Sequence, residues 1–306
     1  MNVRRKFKGC FYSTETEMNK DLLSKIQDGM SDMSKGQRAI GRYILDNYDK
    51  AAFMTAVKLG EATHVSESTV VRFAIAMGYE GYPELQDALQ ELIRNKLTAV
   101  QRIEITNDRL RGADILQRVL HSDIDKIKTT LDSISREDFD RAVETVLNAK
   151  TIYIIGMRSS ASLANFLTFY FRLMFADVRM VQTTSGSEVF EHLLRVGEGD
   201  AVIAISFPRY SKRIVNAVNY AKSQNAKVIA LTDGPASPLA PCADALLCAK
   251  SDMMSFVDSL VAPLSIINAM IVAIAKIKHA ELESTFSKLE TIWDEYEVYN
   301  KDSDGK

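Results

Sequence analysis

From Thr151 onward the sequence alternates short apolar runs with longer amphipathic stretches, and few folds accommodate that rhythm. The runs are TIYIIG, DVRMVQ, DAVIAIS, AKVIALT and DALLCA, most of them continuous in Val, Ile, Leu and Ala. A strand reads this way when both of its faces are covered, as in a parallel sheet whose crossovers lay helices on each side. Helical stretches lie between the runs, from about Ser159 to Phe175, from Ser187 and from Ser211. The pattern predicts an α/β three-layer domain on a five-stranded parallel sheet. A long apolar helix from Phe256 to Ile277 closes a layer. The tail, rich in Glu, Asp and Lys around Trp293, predicts one more helix with a frayed end.

In an open parallel sheet ligands sit outside the strand carboxyl ends. That gives weight to DAVIAISFPRYSKRI, Asp200 to Ile214, where Ser206, Arg209, Tyr210 and Ser211 follow the third apolar run. The free N–H groups opening the next helix attract an anion, and serine hydroxyls add donors without bulk. A phosphate suits such a turn. An ordinary strand-to-helix connection with Ser211 as N-cap accounts for the same residues.

With 306 residues the chain is long enough for roughly two domains, and its formal charge of −2 gives no global sign of nucleic-acid or membrane affinity. Any such role rests on local placement. Cys10, Cys242 and Cys248 make neither an even set nor a CxxC pair, and the 4 histidines are scattered, so a reduced, cytoplasmic protein without metal or other cofactor is expected. Residues 1–18 are basic but lack the apolar stretch of a signal peptide and read as a flexible arm; no apolar run approaches membrane-spanning length.

The amino-terminal part is helical in period. Leu22, Leu23, Ile26 and Met30, then Ile40, Tyr43, Ile44 and Tyr48 after Ser34, mark two amphipathic helices. Thr55 then precedes AVKLGEA, a ThrHisVal turn follows, and Ser66 caps SESTVVRFAIAM before Gly78. This spacing fits a helix-turn-helix. Val57, Leu59 or Ala62, Val65, Val70 and Phe73 are expected between the two helices, while Glu67, Ser68, Val71 and Arg72 face outward, where donors can reach base edges and phosphates. A helical hairpin inside an all-α subdomain is the plainer alternative. Residues 84 to about 148 read as charged helices, with Ile115, Val119, Ile124, Ile127, Leu131 and Ile134 available to seat a helix on the next domain or on a second subunit.

TAVKLGEATHVSESTVVRFAIAMGYEGYPELQDAL resembles the helix-turn-helix of the RpiR/MurR family of bacterial transcription regulators. Val65, Ser66, Thr69, Val70, Arg72 and Phe73 match the family pattern, and Met77 to Tyr82 match its exit with tyrosines. Gly60 stands where alanine is usual, and His64 where glycine often sits. The second domain resembles the SIS (sugar isomerase) domain, whose serine- and glycine-rich turns after the first and third strands cradle a sugar phosphate. Here the first turn is GMRSS, keeping Gly156 and Ser160 with Arg158 in place of a glycine. The second is SFPRYS, keeping Ser206, with Pro208 for serine, Arg209 for glycine and Ser211 for threonine.

The resemblance implies an all-α helix-turn-helix domain plus the α/β three-layer domain, divided as arm 1–18, DNA-binding domain 19–95, helical connector 96–148, SIS domain 149–280 and terminal helix and tail 281–306. It implies a transcriptional regulator, not an enzyme, that binds double-stranded operator DNA as a homodimer or homotetramer. Thr55, Ser66, Glu67, Ser68, Thr69 and Arg72 would contact DNA. A small anionic sugar effector, a sugar phosphate first of all, would lie against Gly156, Arg158, Ser159, Ser160, Ser206, Arg209, Tyr210, Ser211 and Glu188. Arg158 and Arg209 would bind a second anionic group or compensate for the serine lost at Pro208; either could instead pair with Glu188 or Asp233 and fill the mouth. The alternative function is an aldose-ketose isomerase using Glu188 and His192, four residues apart on one helix face, as its acid-base pair. A purely structural oligomerisation module leaves the serine-lined turns unexplained.

Overall fold

A computed structural model describes residues 22–96, 114–182, 188–252 and 257–298, together with 100, 102 and 103. The expected arm over 1–18 lies outside the described residues. The chain divides into two compact units, Met1–Arg111 and Gly112–Lys306.

The first unit is helical: α1 Leu22–Gly29, α2 Lys35–Asp46, α3 Tyr48–Ala51, α4 Ala56–Thr63, α5 Glu67–Ala76 and α6 Tyr82–Lys96. A reciprocal capping box starts α2, the Ser34 hydroxyl accepting from the Gln37 N–H while the Gln37 side chain accepts from the Ser34 N–H. Ile26, Ile40, Ile44, Leu59, Val70, Phe73, Leu85 and Leu89 are fully buried and form the core. Each contributes about 1.5–3 kcal/mol by leaving water. Just past the end of α3, backbone carbonyls are satisfied from α6: the Tyr82 hydroxyl donates to Met54 O at 2.7 Å, Gln86 to the same oxygen at 2.7 Å, and Gln90 to Ala52 O at 3.0 Å.

The second unit runs α7 Ile115–Ser133, α8 Arg136–Leu147, β1 Ile152–Gly156, α9 Ser160–Met174, β2 Val178–Val181, α10 Glu188–His192, β3 Ala201–Ile205, α11 Lys212–Ser223, β4 Lys227–Thr232, β5 Ala245–Cys248, α12 Val261–Ile277 and α13 His279–Glu295. The five strands form one sheet in the order β2-β1-β3-β4-β5, every pairing parallel. Strand alternation divides the core. Ile152, Ile154, Ile203 and Ile229 face Val146, Phe171, Ile267 and Ile274 of α8, α9 and α12, whereas Tyr153, Ile155, Val202 and Ala230 face Val189, Ile214 and Val218 of α10 and α11. The result is helix, sheet, helix.

Two stretches differ from expectation. The helix expected from Phe256 begins at Val261, since Ser259 is occupied with its hydroxyl donating to Asp123 at 2.7 Å and Pro263 fits only a first turn. The helices expected as a connector pack within the second unit. α8 adds Ala142, Val143 and Val146 to the core, and the Thr130 hydroxyl of α7 accepts from the Lys250 N–H at 3.0 Å. The buried face of α7 is polar, Lys126 and Thr130, because it meets hydrogen-bonding groups; Ile115, Ile124, Ile127 and Leu131 are exposed. No described helix is by itself long and apolar enough to cross a membrane.

Candidate functional site

In the first unit the helix-turn-helix is α4 and α5. Thr55 caps α4 by accepting from the Lys58 N–H at 3.3 Å. The expected turn shifts by a residue: Thr63 belongs to α4, buried, its hydroxyl donating to Leu59 O at 2.7 Å, and the chain turns through His64 at φ 56°. A Cβ on Gly60 would stand 2.8 Å from Val65 O, so a residue without one lets the turn fold back this closely. Ser66 occupies the N-cap of α5, but its hydroxyl pairs with those of Ser68 and Thr69, each at 2.9 Å, rather than with a backbone N–H.

Leu59, Val70 and Phe73 lie buried between the helices as expected, whereas Val57 and Ala62 are exposed and Thr63 and Ala74 fill the interface. Glu67, Ser68 and Arg72 are exposed with Thr55 and Ser66; Thr69 and Val71 are half-buried. The Thr69 methyl packs toward Gly36 of α2, 3.2 Å from where a Cβ would stand. The outer, amino-terminal half of α5 therefore offers hydroxyls, a carboxylate and a guanidinium, the groups that read base edges and phosphates.

In the second unit the chain runs from β1 outward to β2 and returns to β3 on the other side, so the strand order reverses between β1 and β3. A crevice opens outside the strand carboxyl ends at such a point. Gly156 pairs in register with Ile205, which sets the turns after β1 and β3 side by side, and the Ser211 hydroxyl donates to Met157 Sδ at 3.4 Å across them. Ser160 and Ser206 are buried; Ser159 is exposed and Ser211 half-buried. Ser211 is the N-cap of α11 by position but makes no capping bond with its side chain. Gly156 serves packing, since a Cβ there would lie 2.5 Å from Ser160 O.

Arg158 and Arg209 both hold left-handed backbone, φ 57° and 66°, the conformation glycine adopts freely and other residues at a cost of about 1–2 kcal/mol. Both side chains are exposed. Tyr210 acts as a strap, its hydroxyl donating to Asp233 Oδ1 at 2.6 Å, an oxygen that also accepts from the Thr232 hydroxyl at 3.1 Å. The Thr232 hydroxyl reaches Ser237 Oγ at 2.8 Å as well. Asp233 and Thr232 therefore anchor the turn after β3, a role unread from the sequence although LeuThrAsp closes the fourth apolar run. Glu188 opens the short α10 half-buried, and His192 at its other end is exposed. At the end of β5, burial pushes the Cys248 thiol up, with Asp233 adding to it, which makes a poor nucleophile. Among the described residues no three His, Cys, Asp or Glu side chains are grouped to hold a metal ion.

Residues 20–96 match the helix-turn-helix domain of the rpiR family, and residues 145–273 match the SIS domain. The HTH-type transcriptional regulator HexR of Pseudomonas aeruginosa is 27% identical over 265 residues, covering 82% of this chain and 88% of that protein. Among solved structures, the Vibrio vulnificus NanR protein complexed with ManNAc-6P superposes with a TM-score of 0.55 at 24% identity, over 90% of this chain and 99% of that one. The sugar isomerase domain of an RpiR transcription factor from Sphaerobacter thermophilus gives a TM-score of 0.56 at 25% identity, over 58% of this chain and 99% of that domain. A helix-turn-helix followed in one chain by a five-stranded SIS sheet, with both family matches in that order, makes this protein a member of the RpiR family of transcriptional regulators.

Proposed function

We propose that this protein is a cytoplasmic, ligand-responsive regulator in which α5 contacts operator DNA and the crevice between the ends of β1 and β3 senses a phosphorylated sugar. The observation that carries this reading is the pair of adjoining turns at the reversal of strand order, where the Ser211 hydroxyl meets Met157 and each turn leads into a helix amino terminus. The complex of the Vibrio relative with ManNAc-6P supports a sugar phosphate as the guest. Thr55, Ser66, Glu67, Ser68, Thr69 and Arg72 form the DNA face, and Gly156, Arg158, Ser159, Ser160, Ser206, Arg209, Tyr210, Ser211 and Glu188 surround the effector, Tyr210 through its strap to Asp233.

The protein acts as a homodimer or homotetramer, since helix-turn-helix domains bind paired half-sites. An exposed apolar stripe on α7, Leu116, Leu120, Ile124, Ile127 and Leu131, supports a face covered by another subunit. The test is an electrophoretic shift of the flanking chromosomal DNA in the presence of a sugar-phosphate panel. A shift that a sugar phosphate strengthens or abolishes supports the reading; aldose-ketose turnover that survives deletion of residues 19–95 favours an isomerase instead.

A further inference from the structure

We propose that the outer face of α2 is a second DNA-contacting surface, on which Lys35, Arg38 and Arg42 hold backbone phosphates beside the groove that α5 enters. This rests on reading α5 as the helix that contacts operator DNA. The three cations follow one another at intervals of 3 and 4 residues, which sets them along one side of the helix, and all three are exposed. Ile40 and Ile44 are buried on the opposite side, so packing holds α2 in place and leaves the cations to solvent.

The first turn of α2 lies against the start of α5. A Cβ on Gly36 would stand 3.2 Å from Thr69 Cγ2 and 3.5 Å from Val65 Cγ1. Lys35 and Arg38 flank that junction in sequence, so the positive face continues the exposed surface that Ser66, Ser68 and Arg72 begin. The charges are also ordered against the stability of α2 itself. Its cations all fall between Lys35 and Arg42, its one carboxylate, Asp46, is its last residue, and there is no acidic residue in the first turn and no basic residue in the last. The helix macrodipole favours the reverse order. Among the described residues none of the three cations has an ion-pair partner that would offset this cost. An anion from outside the chain does offset it, and the phosphates of a duplex seated on Ser68 and Arg72 supply a row of them. Contacts of this kind fix register and orientation on the duplex, while the bases are read from α5.

The test is an anisotropy titration of the full chain over a range of salt concentrations, against a duplex from the flanking chromosomal DNA and a scrambled duplex of equal length. The proteins compared are wild type, Lys35→Gln, Arg38→Gln, Arg42→Gln, the triple variant, and a charge-keeping triple of Lys35→Arg, Arg38→Lys and Arg42→Lys. Each loss of a cation should weaken binding to both duplexes by the same factor and lower the slope of log affinity against log salt by about 1. The triple glutamine variant should lose about ten-fold or more at 0.1 M salt, melt at or above wild type, and bind with a slope that the charge-keeping triple restores. Arg72→Ala serves as the contrast, since it should narrow the difference between the two duplexes. Wild-type affinity and slope in the triple glutamine variant, or a loss confined to the flanking duplex, overturns the proposal and leaves α5 as the DNA-contacting helix. Binding of neither duplex by the wild type overturns the operator reading and this proposal with it.

Discussion

At the scale of single residues, Arg72 is the cleanest probe of DNA recognition, because it is exposed on α5 and its removal disturbs no packing. Arg72→Ala should weaken operator binding by about 1–3 kcal/mol in an anisotropy titration and leave the melting temperature unchanged. Thr69→Ala is less clean than the sequence suggests. Its methyl packs toward Gly36 and its hydroxyl pairs with Ser66, so it should lower stability as well as affinity. Backbone conformation gives two further outcomes. His64→Gly removes a Cβ from a left-handed position and should stabilise the first unit by about 1 kcal/mol in urea denaturation. Gly156→Ala should destabilise the second unit by about 1–3 kcal/mol, since the new methyl would sit 2.5 Å from Ser160 O and 3.0 Å from the Ala164 Cβ.

At the scale of elements, α6 holds the end of α3 through Tyr82. Burial pushes its phenol up to about 12, against an ordinary value near 10. The folded state therefore favours the neutral phenol, so its contribution is complete below pH 10 and is lost as the pH rises from about 10 to about 12. Tyr82→Phe should remove that alkaline loss from a pH series of urea melts, together with about 0.5–1.5 kcal/mol from the bond to Met54 O. Elements defined by local pattern were legible in the sequence: the five apolar runs became the five strands, and the capped run after Ser66 became α5. What depends on a partner surface was not. The apolar positions of α7 pointed toward a packed face, yet its inner face is polar because it meets the Lys250 N–H and the Ser259 region rather than an apolar layer. Arg158 and Arg209 could be read as substitutions for glycine, but that both keep glycine's conformation required coordinates. The tether from Tyr210 to Asp233 joins residues 23 apart in sequence and leaves no periodic trace.

At the scale of the whole molecule, two units with separate cores make a regulator only if binding at one changes binding at the other. Sedimentation of the free protein should give a dimer or tetramer, and the apolar stripe of α7 supplies a test: Leu120→Glu should shift the distribution toward monomer, whereas an unchanged distribution would place the subunit contact elsewhere. Coupling itself is the central claim, and thermodynamics makes it reciprocal. If an effector changes DNA affinity by some factor, DNA must change effector affinity by the same factor, typically about 5–150-fold. The direct measurement is a pair of equilibrium titrations on the full chain: operator duplex followed by anisotropy with and without a sugar-phosphate effector, and the effector followed by calorimetry with and without the duplex. The account predicts two equal factors, both lost in Ser206→Ala with Ser211→Ala while effector-free DNA affinity holds. A duplex affinity that no sugar phosphate alters would contradict it.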